Sequence, residues 1–294
     1  MEPLVPRLIV VPTDFSAPAA HALRYASNLA ERFDAHLLVI HADRFMVPVD
    51  FTAAPAGTFD VARDAMIEEA REQLEGHAEQ CISRSVPYDT RVIVSRPIDA
   101  IIDQLRETGA DLIVMGTHGR SGVRRLLLGS VTEAVMRVAP VPVIAVNPQS
   151  SERGTIGKVL CPIDYTQACA DALVQAAAFA DKLVLVHGVD QIGRCFDELP
   201  RLRAWVPPEI VDRCELKLMT ANASPAEIVS FAREIGADLI ALGLSADRTL
   251  SESLFGSLAE QILHHSACAV LTINAFAARK QQHEVNAPEP VAVG

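Results

Sequence analysis

The sequence predicts an α/β fold made of two tandem doubly wound parallel-sheet domains, each with five strands in the order 3-2-1-4-5. Three observations predict it. Short continuous apolar runs alternate with helical patterns, the alternation is written twice along the chain, and Asp14 and Gly116 fall at strand ends. Runs that stay apolar at every position fit strands covered on both faces. Strand and helix in alternation imply parallel pairing through right-handed crossovers.

In the first half the strands fall near 8–12, 36–42, 90–94, 111–116 and 142–146, and helices near 16–32, 60–84, 97–108 and 130–139 lie between them. Ser130-Val-Thr-Glu133 and Ser257-Leu-Ala-Glu260 both read as capping boxes, and Ser224-Pro225-Ala-Glu227 adds proline at the first helical position. In the order 3-2-1-4-5 the switch point lies between strands 1 and 4, where such sheets bind ligands. Asp14 ends strand 1 and Gly116 ends strand 4.

The repeat is read from six blocks in the same order. Leu8–Asp14 matches Lys158–Asp164, and His36–His41 matches Lys182–His187. Arg96-Pro97 matches Ser224-Pro225, and Gly109–Gly116 matches Gly236–Gly243. Leu128–Glu133 matches Phe255–Glu260, and Val141–Val146 matches Cys268–Ile273. The domains expected are 1–148 and 156–276, with a polar tail at 277–294. The second copy is shorter between its second and third strands, where only a short segment around Trp205–Val211 replaces the helix at 60–84.

Composition narrows the function. The 294 residues are half hydrophobic and carry a net charge of −11 with 5% aromatics. Two domains at ~150 residues each fit that length. The acidic balance and scarce aromatics argue against nucleic acid as a partner. No apolar stretch reaches the ~20 residues that cross a bilayer, so no membrane is expected. The amino terminus lacks a basic head, and six cysteines without C-x-x-C spacing suit free thiols in a reducing cytoplasm.

The chemistry concentrates after strand 4, in Gly116-Thr-His-Gly119-Arg-Ser-Gly-Val-Arg-Arg-Leu-Leu-Leu-Gly129-Ser130. The spacing is G-x2-G-x9-G-S. Glycine lets a ligand approach the backbone, and Gly129-Ser130 opens a helix whose N–H groups favour an anion. Arg120, Arg124 and Arg125 add positive charge, so a polyphosphate is the expected guest. Neither a Walker A motif nor G-x-G-x-x-G is present. A plainer reading makes this a glycine-rich loop whose Ser130 caps a helix. For Asp14 the plainer reading is a cap on the first helix.

On these residues the chain resembles the universal stress protein family in its tandem form, over nearly its whole length. The resemblance rests on the Pro12-Thr13-Asp14 strand end, the His41-Ala42 turn after strand 2, and the glycine loop. It implies an adenine nucleotide alpha hydrolase-like fold. In ATP-binding members the loop holds the triphosphate, while the Asp and the strand-end backbone hold ribose and adenine. By matching position, Pro12, Thr13 and Asp14 would lie at the nucleoside, and Ala42 would meet adenine through its backbone. Met115, Gly116, His118, Gly119 and Arg120 would meet ribose and phosphate. Gly129, Ser130, Val131 and Thr132 would meet the phosphates. The implied cofactor is ATP, with or without Mg²⁺. The halves would pack as a pseudo-dimer along strand 5, standing alone or pairing again as a homodimer.

The second half departs from the pattern. Its loop has Ala246 for the middle glycine, and the charge of +3 becomes −1 through Asp247, Arg248 and Glu252. Both changes oppose a phosphate, so nucleotide is expected in the first half, with the second binding it weakly or not at all; that half reads either as structural or as a pocket for another ligand opened by its shortened strand 2–3 region. On that view Gly119→Ala weakens binding and Gly243→Ala leaves it unchanged.

His41 and His187 read as hydrogen-bonded strand-end imidazoles, and His264-His265 with Cys268 as structural rather than metal-binding. Cys161 and Cys268 read as buried thiols, and Arg63–Glu79 as a solvated helix face. The favoured function is a cytoplasmic ATP-binding stress or regulatory protein, with no catalytic or metal residue assigned. A weak ATPase and a nucleotide-free scaffold are the alternatives.

Overall fold

A computed structural model of the chain describes residues 5–46, 58–118, 128–151, 156–189, 195–220, 224–244 and 256–274. Its first half runs β1 (Leu8–Pro12), α1 (Ala17–Phe33), β2 (His36–Asp43), α2 (Thr58–Cys81), β3 (Tyr88–Val94), α3 (Pro97–Thr108), β4 (Leu112–Gly116), α4 (Ser130–Val138) and β5 (Val143–Val146). Its second half runs β6 (Lys158–Ile163), α5 (Gln167–Phe179), β7 (Lys182–Val189), α6 (Cys195–Trp205), β8 (Cys214–Thr220), α7 (Pro225–Glu234), β9 (Leu239–Leu244), α8 (Gly256–His265) and β10 (Ala269–Asn274).

The ten strands make one sheet in the order β3-β2-β1-β4-β5-β10-β9-β6-β7-β8. Each half therefore has the expected 3-2-1-4-5 order. All pairings are parallel except β5 with β10, where Ala145 faces Val270 in an antiparallel register. That seam joins the halves along their fifth strands, so neither β5 nor β10 is an edge.

Both faces of the sheet are covered, which explains the unbroken apolar runs. Every residue of β4 and β5 is buried. On one face a core forms around Leu23, Leu29, Leu74 and Phe179, beneath α1, α2, α5 and α6. On the other, Ile101, Leu105, Met136 and Ile262 pack beneath α3, α4, α7 and α8.

The repeated Gly-Ala-Asp block has a structural use. Asp111 Oδ2 accepts from the N–H groups of Arg7 and Leu8 at 2.8 and 3.0 Å. Asp238 Oδ2 accepts from those of Gly157 and Lys158 at 2.9 and 3.0 Å. Each carboxylate thus pins the start of its half's first strand beside the fourth.

Several expectations are corrected. Of the three capping boxes, Ser224–Glu227 forms, with Pro225 opening α7. The box at Ser130 does not, because α4 starts one residue early. Gly129 is its N-cap, held by a 2.7 Å bond from its N–H to the Thr117 carbonyl, and Glu133 pairs with Arg137 instead. Likewise α8 begins at Gly256, which puts Ser257 inside the helix. The segment between β7 and β8 holds an eleven-residue helix, α6, followed by a 3-10 turn at Val211–Arg213. Pro200 inside α6 disguises it, since proline removes a helical donor. His41-Ala42 is strand rather than turn, because β2 continues to Asp43. Cys161 is buried as expected, whereas Cys268 is half-buried. Residues 119–127, 245–255 and the tail at 277–294 lie outside the described residues.

Candidate functional site

A cleft of about 300 Å³ opens where β1 and β4 part at their carboxyl ends. Pro12, Thr13, Asp14, Ala42, Met115, Gly116, His118, Gly129, Ser130, Val131 and Thr132 all line it. Gly119 and Arg120, the other two residues singled out from sequence, lie outside the described residues, as do Arg124 and Arg125. Sequence reasoning missed Ala19, Ile40, Pro97 and Ile101, which complete the wall. The alternation along β2 could have supplied Ile40, because it shares a face with Ala42.

The floor comes from the strand ends. Pro12, Ile40 and Met115 offer an apolar patch of the kind that suits a flat ring. Gly116 lets α1 come close. A methyl group there would stand 3.0 Å from the Pro18 carbonyl oxygen. The far wall is the first turn of α4. Thr132 Oγ1 donates to the Gly116 carbonyl at 2.8 Å, so α4 is tied to the end of β4. Gly129 has no side chain to cap the helix. Among the described residues no side chain caps the first turn of α4, whose N–H groups stand at the end where the helix dipole favours negative charge.

The turn from Thr13 to Ser16 is held by its own polar groups. Asp14 Oδ1 accepts from the Ser16 N–H at 3.0 Å, and Ser16, not Asp14, caps α1 by accepting from the Ala19 N–H. Phe15 takes a left-handed φ of 65°, uncommon for a bulky residue, and Tyr165 repeats it at 64°. Neighbours fix Phe15 there. Its N–H donates to Thr13 Oγ1 at 3.1 Å, and its ring lies 4.3 Å from that of His41. Asp14 is the single carboxylate among the described lining residues.

Two histidines flank this turn on the other face of the sheet. His41 Nδ1 donates to the Thr13 carbonyl at 2.8 Å, as expected for a structural imidazole. His77, from α2, contacts Thr13 Oγ1 at 3.2 Å. Burial and then the Arg24 charge pull His77 below its ordinary value, against the opposing pull of Asp14. His118, on the cleft wall, is lowered by burial and by His264 of the second half.

The equivalent crevice in the second half is tighter. A methyl group on Gly243 would overlap the backbone carbonyl of Ala168 outright. The first turn of α5 therefore sits closer to β9 than α1 does to β4. Near this turn Tyr165 donates to Glu198 at 3.1 Å, and the Arg201 guanidinium covers the Tyr165 ring at 4.6 Å. Ala246, Asp247, Arg248 and Glu252 lie outside the described residues. No group of three or more candidate metal ligands occurs among the described residues, and His264 sits 3.9 Å from Glu260.

Known proteins resemble this chain in sequence and in fold. A universal stress protein of Methanocaldococcus jannaschii is 35% identical over 146 residues, covering 49% of this chain and 84% of its own. One from Bacillus subtilis is 29% identical over 143 residues, covering 47% and 97%. The crystal structure of a universal stress protein from Archaeoglobus fulgidus superposes over 91% of this chain and 96% of its own with a TM-score of 0.63. At 18% identity that likeness shows the fold. The description Universal stress protein family matches residues 6–147 and 215–274, leaving out the start of the second half. With most of its length matched in this way, the chain belongs to the universal stress protein family.

Proposed function

We propose that the first-half cleft binds an adenine nucleotide, with ATP as the ligand, and that the protein acts as a cytoplasmic stress or regulatory protein through this binding. The observation that carries the reading is convergence. All eleven described residues singled out from sequence line one cleft, although they come from four separate chain segments. Its volume of about 300 Å³ falls at the lower end of small-molecule sites. An apolar strand-end floor suits the base, Asp14 suits a ribose hydroxyl, and the uncapped turn of α4 suits phosphate. Mg²⁺ would be held mainly by the phosphates and its own waters, and Asp14, the single carboxylate of the described lining, could join them.

The halves are read as two domains, 1–148 and 156–276, with one functional site. The close approach of Ala168 to Gly243 supports this asymmetry, because it brings α5 nearer to β9 than α1 comes to β4. Calorimetric titration of the purified chain with ATP tests the reading. One equivalent bound per chain is the expected result, while two equivalents, or none, count against it. Turnover with Mg²⁺ is expected to stay below ~1 s⁻¹, the lower end of ordinary enzyme rates.

A further inference from the structure

The second half reaches the first-half cleft. Because β5 and β10 run antiparallel, the start of β10 lies beside the end of β5. The last turn of α8 is delivered to that point through Ser266. Asn147, which follows β5, donates from Nδ2 to the Ser266 carbonyl at 2.8 Å, and the Ser266 N–H donates back to Ile262 of α8 at 2.8 Å. On the other side, the Thr117 N–H donates to the Val146 carbonyl at 3.1 Å, and Thr117 Oγ1 meets His118 Nδ1 at 2.9 Å. Thr117, Asn147 and Ser266 are all buried, so the path is firm. It joins His118 on the cleft wall to the turn that carries His264.

The repeat sharpens the point. His264 occupies the position that Arg137 holds in α4, and Glu260 that of Glu133. Arg137 is locked to Glu133 by a short ion pair, whereas His264 stands 3.9 Å from Glu260, beyond hydrogen-bond reach. Glu260 thus engages His264 less tightly than Glu133 engages Arg137. A charge on His264 is also felt at His118.

We infer that His264 belongs to the first-half site, where with His118 it forms a clamp of two imidazoles for the terminal phosphates of the nucleotide. The inference rests on the nucleotide reading. Two imidazolium groups facing one another repel, and an anion between them removes that repulsion and lets both carry a proton.

The test is calorimetry on the full chain with ATP, AMP and adenosine, comparing the natural sequence with His264→Gln and His264→Arg. Loss of one charge-assisted contact lowers ATP affinity about tenfold in His264→Gln and leaves adenosine within about twofold. His264→Arg keeps the charge and retains ATP. Unchanged ATP affinity in His264→Gln overturns the clamp and leaves the nucleotide reading standing. Equal losses for ATP and adenosine overturn it too, because the cleft itself has then changed. If the natural chain binds none of the three, the nucleotide reading has failed and the clamp with it.

Discussion

His41 Nδ1 lies 2.8 Å from the Thr13 carbonyl oxygen, and His187 Nδ1 lies 2.8 Å from that of Ile163. A carbonyl only accepts, so in both halves the proton sits on Nδ1. The bond holds the end of the first strand in place just before its left-handed turn. In the first half that turn carries Asp14 into the cleft, so a bond on one face of the sheet positions a cleft carboxylate on the other.

Replacing His41 by Phe keeps the ring and removes the donor. Leaving a buried carbonyl without its partner costs about 1–3 kcal/mol. His41→Phe should therefore lower the urea midpoint and weaken ATP binding, while His187→Phe should lower the midpoint alone. Chemical denaturation and calorimetry on the two variants check this. An unchanged midpoint in both would remove the bond from any structural account.

Gly116 and Gly243 should separate function from stability. From sequence, Gly243→Ala is expected to leave nucleotide affinity almost unchanged. The structure adds a cost in stability, because the added methyl overlaps the Ala168 carbonyl and forces α5 away from β9. Overpacking of this kind costs about 1–3 kcal/mol. At Gly116 the nearest atom would be 3.0 Å away, so a shift of a few tenths of an ångström at Pro18 accommodates it. Gly116→Ala should thus lose nucleotide affinity with a modest fall in Tm, and Gly243→Ala should show the larger fall. Thermal unfolding of both variants decides the order.

The fold was legible because each local signal agreed with the global one. Asp111 and Asp238 sit in the same repeated block and make the same pair of bonds, so the repeat predicted a repeated structure. The cleft was legible for a related reason: glycines and a carboxylate stand at strand ends only where something must come close. What failed was local. Ser130 looked like a cap, yet the pull of Thr117 on Gly129 moves the helix start by one residue, and sequence carries no sign of that bond. Pro200 hid α6 because its missing donor is tolerated within a packed helix. The link between His264 and His118 carries no sign in the sequence, since it depends on the antiparallel seam and on Asn147, 117 positions from His264.

The described thiols of the second half, Cys161, Cys169, Cys214 and Cys268, should be inert in the folded protein. Burial pushes Cys169 from its ordinary value of 9.0 up to about 12 and Cys214 up to about 11. It raises Cys161 well above that ordinary value, and Cys268 is also raised. The thiolate is the reactive form, so iodoacetamide at pH 8 should label these four far more slowly in the native chain than in urea, with peptide mapping to tell them apart. The same shifts predict how stability falls in alkali. A thiol whose folded value is raised stays protonated in the native state while the unfolded chain ionises. Its contribution is therefore complete below pH 9 and declines as the pH climbs towards the folded values of about 11 and 12. Cys169→Ala should flatten that decline between those limits, since one of the groups that ionises only on unfolding is gone. A decline of unchanged slope in Cys169→Ala would show that this thiol is ionised to the same extent in the native and unfolded chains.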